Sequence, residues 1–205
     1  MNITYRDIDL LLYTHIHPDH VIDLVPILFA SKYGDAPREK DLICLGGPGF
    51  KRYFNKVKRT YGSWIESKAY RLFIKELTAR PLRFRDTKIL SKPMAHMSES
   101  VGYRIELKSG KSIAVSGDTD YCENVIDLAS EVDLLVLECS FPDERKMEGH
   151  LTPTLAGKIA SESRCKRLLL THFYPICDQH DILQGCCQFF HEEVILAEDL
   201  MRIEI

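Results

Sequence analysis

The chain has 205 residues, 45% of them apolar and 28% charged, an ordinary globular balance that excludes disordered and fibrous classes. Its 27 Lys and Arg against 30 Asp and Glu leave a formal net charge of −3, so no global positive field draws it to nucleic acid or an anionic membrane. No apolar run reaches the roughly 20 residues of a membrane span, residues 1–9 lack a signal-peptide pattern, and the seven cysteines, with no Cys-x-x-Cys pair, read as free thiols of a cytoplasmic protein.

Residues 8–13 are apolar and read as a strand buried on both faces. The spacing of Val21, Leu24, Val25 and Leu28 predicts a helix over 20–32. A short strand follows at 41–45, closed by the turn Gly46-Gly47-Pro48-Gly49. That glycine run lacks the Gly-Lys-Ser/Thr of a phosphate loop and is read as a helix-opening turn. Residues 50–77 read as a basic, aromatic helix with a break at Gly62. Its cations Lys51, Arg52, Lys56, Lys58 and Arg59 suit a solvated face, a surface laid over a polyanion or a roof over a metal cleft. Strands are expected at 88–94, 101–107 and 111–117, the last two joined as a hairpin over Lys108-Ser109-Gly110. A short helix follows Asp120, then a strand at 134–137. Thr152-Pro153 opens the next helix, with the hydroxyl as cap and proline in the first turn. A strand at 167–171, a helix at 181–191, and strands at 194–197 and 201–205 complete an alternation typical of α/β or layered α+β domains.

The chemistry concentrates in Thr14-His15-Ile16-His17-Pro18-Asp19-His20, directly after the first predicted strand. Imidazole and carboxylate are ligands that Zn²⁺, Mn²⁺ or Fe²⁺ accept. His15 and His17 are two apart, so in an extended chain they point to one side. Asp19 and His20 come after the chain turns, and the layout suits two adjacent metals better than one. Further donors also follow apolar runs: His96, Asp118 in Ser116-Gly117-Asp118-Thr119, and His172 after Leu168-Leu169-Leu170-Thr171. Glu138, ending another apolar run, is read either as a solvated carboxylate or as a group that orients a histidine. His180, His191 and the cysteines match no ligand pattern.

These motifs resemble the metallo-β-lactamase superfamily. Val101-Gly102-Tyr103-Arg104-Ile105, Gly149-His150-Leu151-Thr152-Pro153, residues 167–175 and the terminal Ala197-Glu198-Asp199-Leu200 are similar to its ribonuclease Z-like branch. The resemblance implies an α+β fold, the four-layered αββα sandwich of the metallo-β-lactamase type, as a single domain over residues 1–205. It further implies one divalent metal on His15, His17 and His96 and a second on Asp19, His20 and His172, with Asp118 bridging them. Zinc is the usual occupant, with manganese or iron as alternatives. A water or hydroxide bridging the two ions would then be the nucleophile. Asp19 would help take its proton, and His150 would be the general acid for the leaving oxygen.

Two departures from the branch narrow the expectation. Only 21 residues separate His96 from Asp118, which leaves no room for the inserted arm that grips tRNA. After Thr171-His172-Phe173 the chain runs Tyr174-Pro175-Ile176-Cys177 instead of Ser-Pro-Arg-Tyr. Both favour a smaller phosphodiester over tRNA. The strands that usually precede the first histidines are also missing from the pattern. An incomplete N-terminal sheet is therefore expected, through truncation or completion by a partner, and the latter predicts a homo-oligomer. The expected function is a dinuclear metal-dependent phosphodiesterase. A carboxylic ester, lactone or thioester hydrolase on the same fold is the enzyme alternative, and an inactive binding module is the alternative from another class.

Overall fold

The computed structural model describes residues 3–77 and 80–205. The chain divides into two compact units, Met1–Thr78 and Ala79–Ile205. Each has its own sheet, its own apolar core and its own flanking helices, the mixed α and β layering expected.

The first unit is built on a three-stranded parallel sheet, β1 (Leu10–Leu12), β2 (Leu42–Gly46) and β3 (Leu72–Glu76), in that order. Between β1 and β2 run a single turn, α1 (Pro18–Val21), and α2 (Leu24–Tyr33). α3 (Phe50–Tyr61) follows β2. It starts after Gly49, whose φ of 91° closes the glycine turn, and stops at Gly62 with φ 51°. Phe50, Phe54 and Val57, spaced i, i+4, i+7, are buried with Leu24 and Leu28 of α2 and Leu42 and Cys44 of β2. Each such side chain contributes about 1.5–3 kcal/mol by leaving water.

Arg38, 1% exposed, donates to the carbonyls of Tyr5, Arg6, Ile8, Lys40 and Asp41. A planar guanidinium with five N–H groups suits this task, and it ties the approach to β1 to the approach to β2.

The second unit carries a seven-stranded mixed sheet. Its strands are β4 (Leu82–Phe84), β5 (Thr87–Pro93), β6 (Val101–Glu106), β7 (Ser112–Val115), β8 (Leu134–Glu138), β9 (Arg167–Thr171) and β10 (Glu193–Leu196), paired in sequence order. β4 to β7 are antiparallel and β7 to β10 parallel. The parallel half crosses over through α4 (Glu123–Leu128), α5 (Pro153–Ser163) and α6 (Ile182–Cys187). Two reversals between β5 and β7 restore the strand direction, so β5, β7, β8 and β9 all deliver their C-terminal ends to one edge, where α/β sheets form crevices.

Four expectations need correction. Residues 72–76 are a strand, not helix: the apolar run Leu72-Phe73-Ile74 pairs in parallel with β2, a non-local partner that periodicity does not reveal. Thr152 sits at the cap of α5, but its hydroxyl makes no capping bond; Asp143 takes the Thr154 amide and hydroxyl instead. The helix expected at 181–191 is only α6, capped by Asp181, which accepts from Gln184 N at 2.9 Å. Residues 201–205 form no strand, being largely exposed with no apolar face to bury. The short β4, hairpinned to β5, was not foreseen.

Candidate metal centre

Within the first unit, β1 ends at Leu12 and hands the chain to the histidine run. His15 is 2% exposed, and its Nε2 lies 3.0 Å from His17 Nδ1. The His20 ring, carried on α1, packs against His15 with centroids 4.1 Å apart. His15 and His17 thus share a side as the spacing required, and His20 pairs with Asp19. Thr14 Oγ1 lies 3.2 Å from His15 Nδ1. The Asp19 side chain, 62% exposed, has an oxygen 3.3 Å from His20 Nε2. Each of these contacts comes from within six residues.

Within the second unit, Asp118 follows β7 through Gly117, whose φ of 62° turns the chain. Asp118 is buried, with Oδ1 3.5 Å from His172 Nε2 and Oδ2 3.9 Å from His96 Nε2. His172 follows β9 at φ 63°, a left-handed backbone that is costly for a residue bearing Cβ and tends to occur at functional sites. The loop bearing His96 is stitched to the Asp118 loop by an isolated bridge, Ala95 to Asp120, and by Thr119 Oγ1 accepting from Ala95 N. Ligand atoms of Asp118, His150 and His172 lie close enough together for a metal ion.

The hydrogen bonds behind these rings set which nitrogen each one presents. His96 Nδ1 is 3.0 Å from the Gly149 carbonyl, which can only accept, so Nδ1 is the donor and Nε2 is the atom turned towards Asp118. Ser140 Oγ gives its hydrogen to Glu138 Oε2 at 2.5 Å and so accepts from His172 Nδ1 at 2.9 Å. His172 Nε2 is thereby the atom turned towards Asp118. Backing of this kind fixes tautomer and direction in metal-binding histidines. Imidazole Nε2 atoms around a buried carboxylate suit Zn²⁺, Mn²⁺ or Fe²⁺, so the residues present fit the metals that the motifs imply.

Glu138 is the residue that sequence reading left open, and it proves central. It is 2% exposed. Oε1 accepts from Thr119 N and His150 Nδ1, and Oε2 from Ser140 N, Ser140 Oγ and Leu151 N. The bond from His150 is 3.0 Å long, and the Glu138 carboxylate beside it raises the His150 pKa above its ordinary value against the opposing effect of burial. The only sequence signal for Glu138 was its place at the end of a buried strand. By contrast, burial pushes the thiols of Cys44, Cys165 and Cys186 up to about 12, so these behave as core fillers. All seven cysteines are free.

Residues 2–173 match the family described as the beta-lactamase superfamily domain. The chain belongs to this family. Among curated relatives, uncharacterized protein Rv1339 of Mycobacterium tuberculosis is 32% identical over 177 residues, covering 84% of this chain and 64% of the relative. The chain thus spans just under two thirds of the first relatives it matches. Ribonuclease BN of Cronobacter sakazakii is 26% identical, covering 97% of this chain and 82% of that protein. Among solved structures, the metallo-beta-lactamase fold protein YhfI of Bacillus subtilis superposes with a TM-score of 0.78 at 24% identity, covering 95% and 76% of the two chains. The superfamily and its ribonuclease Z-like branch, read from the motifs, both hold. No helix among the described residues is long and apolar enough to cross a membrane.

Proposed function

We propose that the protein is a dinuclear metal-dependent hydrolase of phosphodiesters. As the family resemblance implies, His15, His17 and His96 would hold one divalent ion and Asp19, His20 and His172 the other, with Asp118 shared. The observation that carries the reading is the Glu138 hub in the second unit. One buried carboxylate fixes His150 directly and His172 through Ser140, which sets a proton donor beside a ligand. The ribonuclease BN relative supports phosphodiester chemistry by its name.

When bound, the metals supply Lewis-acid polarisation of the phosphoryl group and activation of water. The rest falls to the chain. Asp19 orients the attacking water and takes its proton. His150, with Nδ1–H committed to Glu138, delivers a proton from Nε2 to the leaving alkoxide.

The test begins with metal analysis of the purified chain and of His17→Ala, with about two ions expected in the parent and a loss in the variant. Fewer than one ion in the parent, with no loss in the variant, would leave the inactive-module reading standing. A panel of bis-p-nitrophenyl phosphate, a dinucleotide, a lactone and a precursor tRNA then separates phosphodiester from carboxylic ester chemistry. His150→Ala should slow the dinucleotide, whose leaving alkoxide needs a proton, by about 100-fold or more. It should hardly affect p-nitrophenolate release. Undiminished dinucleotide cleavage refutes the acid role.

A further inference from the structure

The outer face of α3 takes no part in the centre, and its chemistry is distinctive. Five cations, Lys51, Arg52, Lys56, Lys58 and Arg59, lie on this helix, which contains no acidic residue, in a chain of net charge −3. At about 100° per residue, set by 3.6 residues per turn, Arg52, Lys56 and Arg59 project opposite the buried Phe50, Phe54 and Val57. All three are exposed. Among the described residues only Lys58 of the five has a carboxylate partner, Glu66 at 2.6 Å.

Exposed rings follow the stripe in sequence. Tyr61 is 40% and Trp64 60% exposed, Trp64 in the 3₁₀ turn Gly62–Trp64 that follows α3. Lys32 Nζ at the end of α2 donates to the Ser63 carbonyl and pins that turn, and the neighbouring Tyr33 is also exposed.

We propose that this surface docks a single-stranded polynucleotide, its phosphates along Arg52, Lys56 and Arg59 and an unpaired base on Trp64. A cationic track ending in aromatic platforms is how single strands are held without sequence readout. Charge complementarity selects a polyanion, and the open rings select one with exposed bases over a duplex. An anionic membrane is the poorer fit, because the apolar residues of α3 are committed to the unit's own core and are not available to enter a bilayer. The surface stands apart from the hydrolytic reading and can hold even where that reading fails.

The experiment measures fluorescence anisotropy of a labelled oligouridylate of about twelve nucleotides, 2′-O-methylated to resist cleavage, titrated with the full chain over a range of salt. A hairpin duplex and phosphatidylserine vesicles are run alongside. Three phosphate contacts give a slope of log K against log salt of about −2. The variant R52Q/K56Q/R59Q should raise Kd at least tenfold and flatten that slope. Trp64→Ala should raise Kd about fivefold or more and keep the slope. Should the triple variant fail to fold, Lys56→Gln alone should reduce the slope by about 0.7. Parent-like affinity in the charge variants or in Trp64→Ala, or preference for the duplex or the vesicles, overturns the proposal. Hydrolysis of bis-p-nitrophenyl phosphate, run in parallel, should be unchanged in every variant. Its absence from the parent would count against the proposed function and leave the docking result intact.

Discussion

In the first unit the histidines lean on one another and on adjacent residues: His15 on His17, His20 and Thr14. In the second unit each ring is braced from far along the chain, His96 by Gly149, His172 by Ser140 and His150 by Glu138. The first arrangement comes with local sequence. It borrows order from the framework beneath it, where Arg38 fastens the approaches to β1 and β2. The second is a network in which one carboxylate positions two rings and four backbone or hydroxyl donors. A dense local cluster depends on its scaffold, whereas a dispersed set of ligands carries its own.

The largest effect expected follows from removing the scaffold of the first unit. Arg38→Met strands five carbonyls and should destabilise that unit by about 3–5 kcal/mol. Hydrogen exchange should show lost protection at the amides of β2 while β8 and β9 stay protected. Equal loss in both units would erase the contrast between them. Next in size is Glu138→Gln. An amide in place of the carboxylate turns an NH₂ group towards donors on one side or the other. It should cost about 2–3 kcal/mol of stability and about 100-fold in phosphodiester turnover or metal affinity. The ring signals of His15 and His17 should remain in place in the metal-free protein by NMR.

The smallest effect concerns pH. The Lys166 ammonium, with the Ser112 amide and Lys111, holds the Asp133 carboxyl well below the usual carboxylate range. Its contribution is therefore complete above about pH 4, the unfolded value, and is lost as pH falls further. Its size should be about 1 kcal/mol, since both lysines are substantially exposed. Asp133→Asn should flatten the acid limb of a stability–pH curve by that amount. An unchanged limb would show that the pairs contribute nothing.

The same contrast explains what could be read from sequence. His15, His17, Asp19 and His20 announce themselves because their geometry follows from spacing after a strand. His96, Asp118 and His172 are individually ordinary and gained meaning only through resemblance to a family. Glu138 and Arg38 stayed illegible because their roles depend on bonds beyond the local segment, to Thr119 and His150 for the one and to Tyr5 and Ile8 for the other. β3 was misread for the same reason: Leu72-Phe73-Ile74 becomes a strand through its partner β2, and a helical period carried on from α3 hid it.

Gly149 holds a further consequence. Its φ is 82°, its carbonyl receives His96 Nδ1, its amide is held by Asp120 Oδ2, and a Cβ at this position would lie 2.8 Å from the His96 ring. The next residue in the chain is His150. A single peptide therefore sets the heading of one imidazole and the starting point of the other. Any drift of this loop turns both rings together, so His96 and His150 are geared and cannot be tuned one at a time.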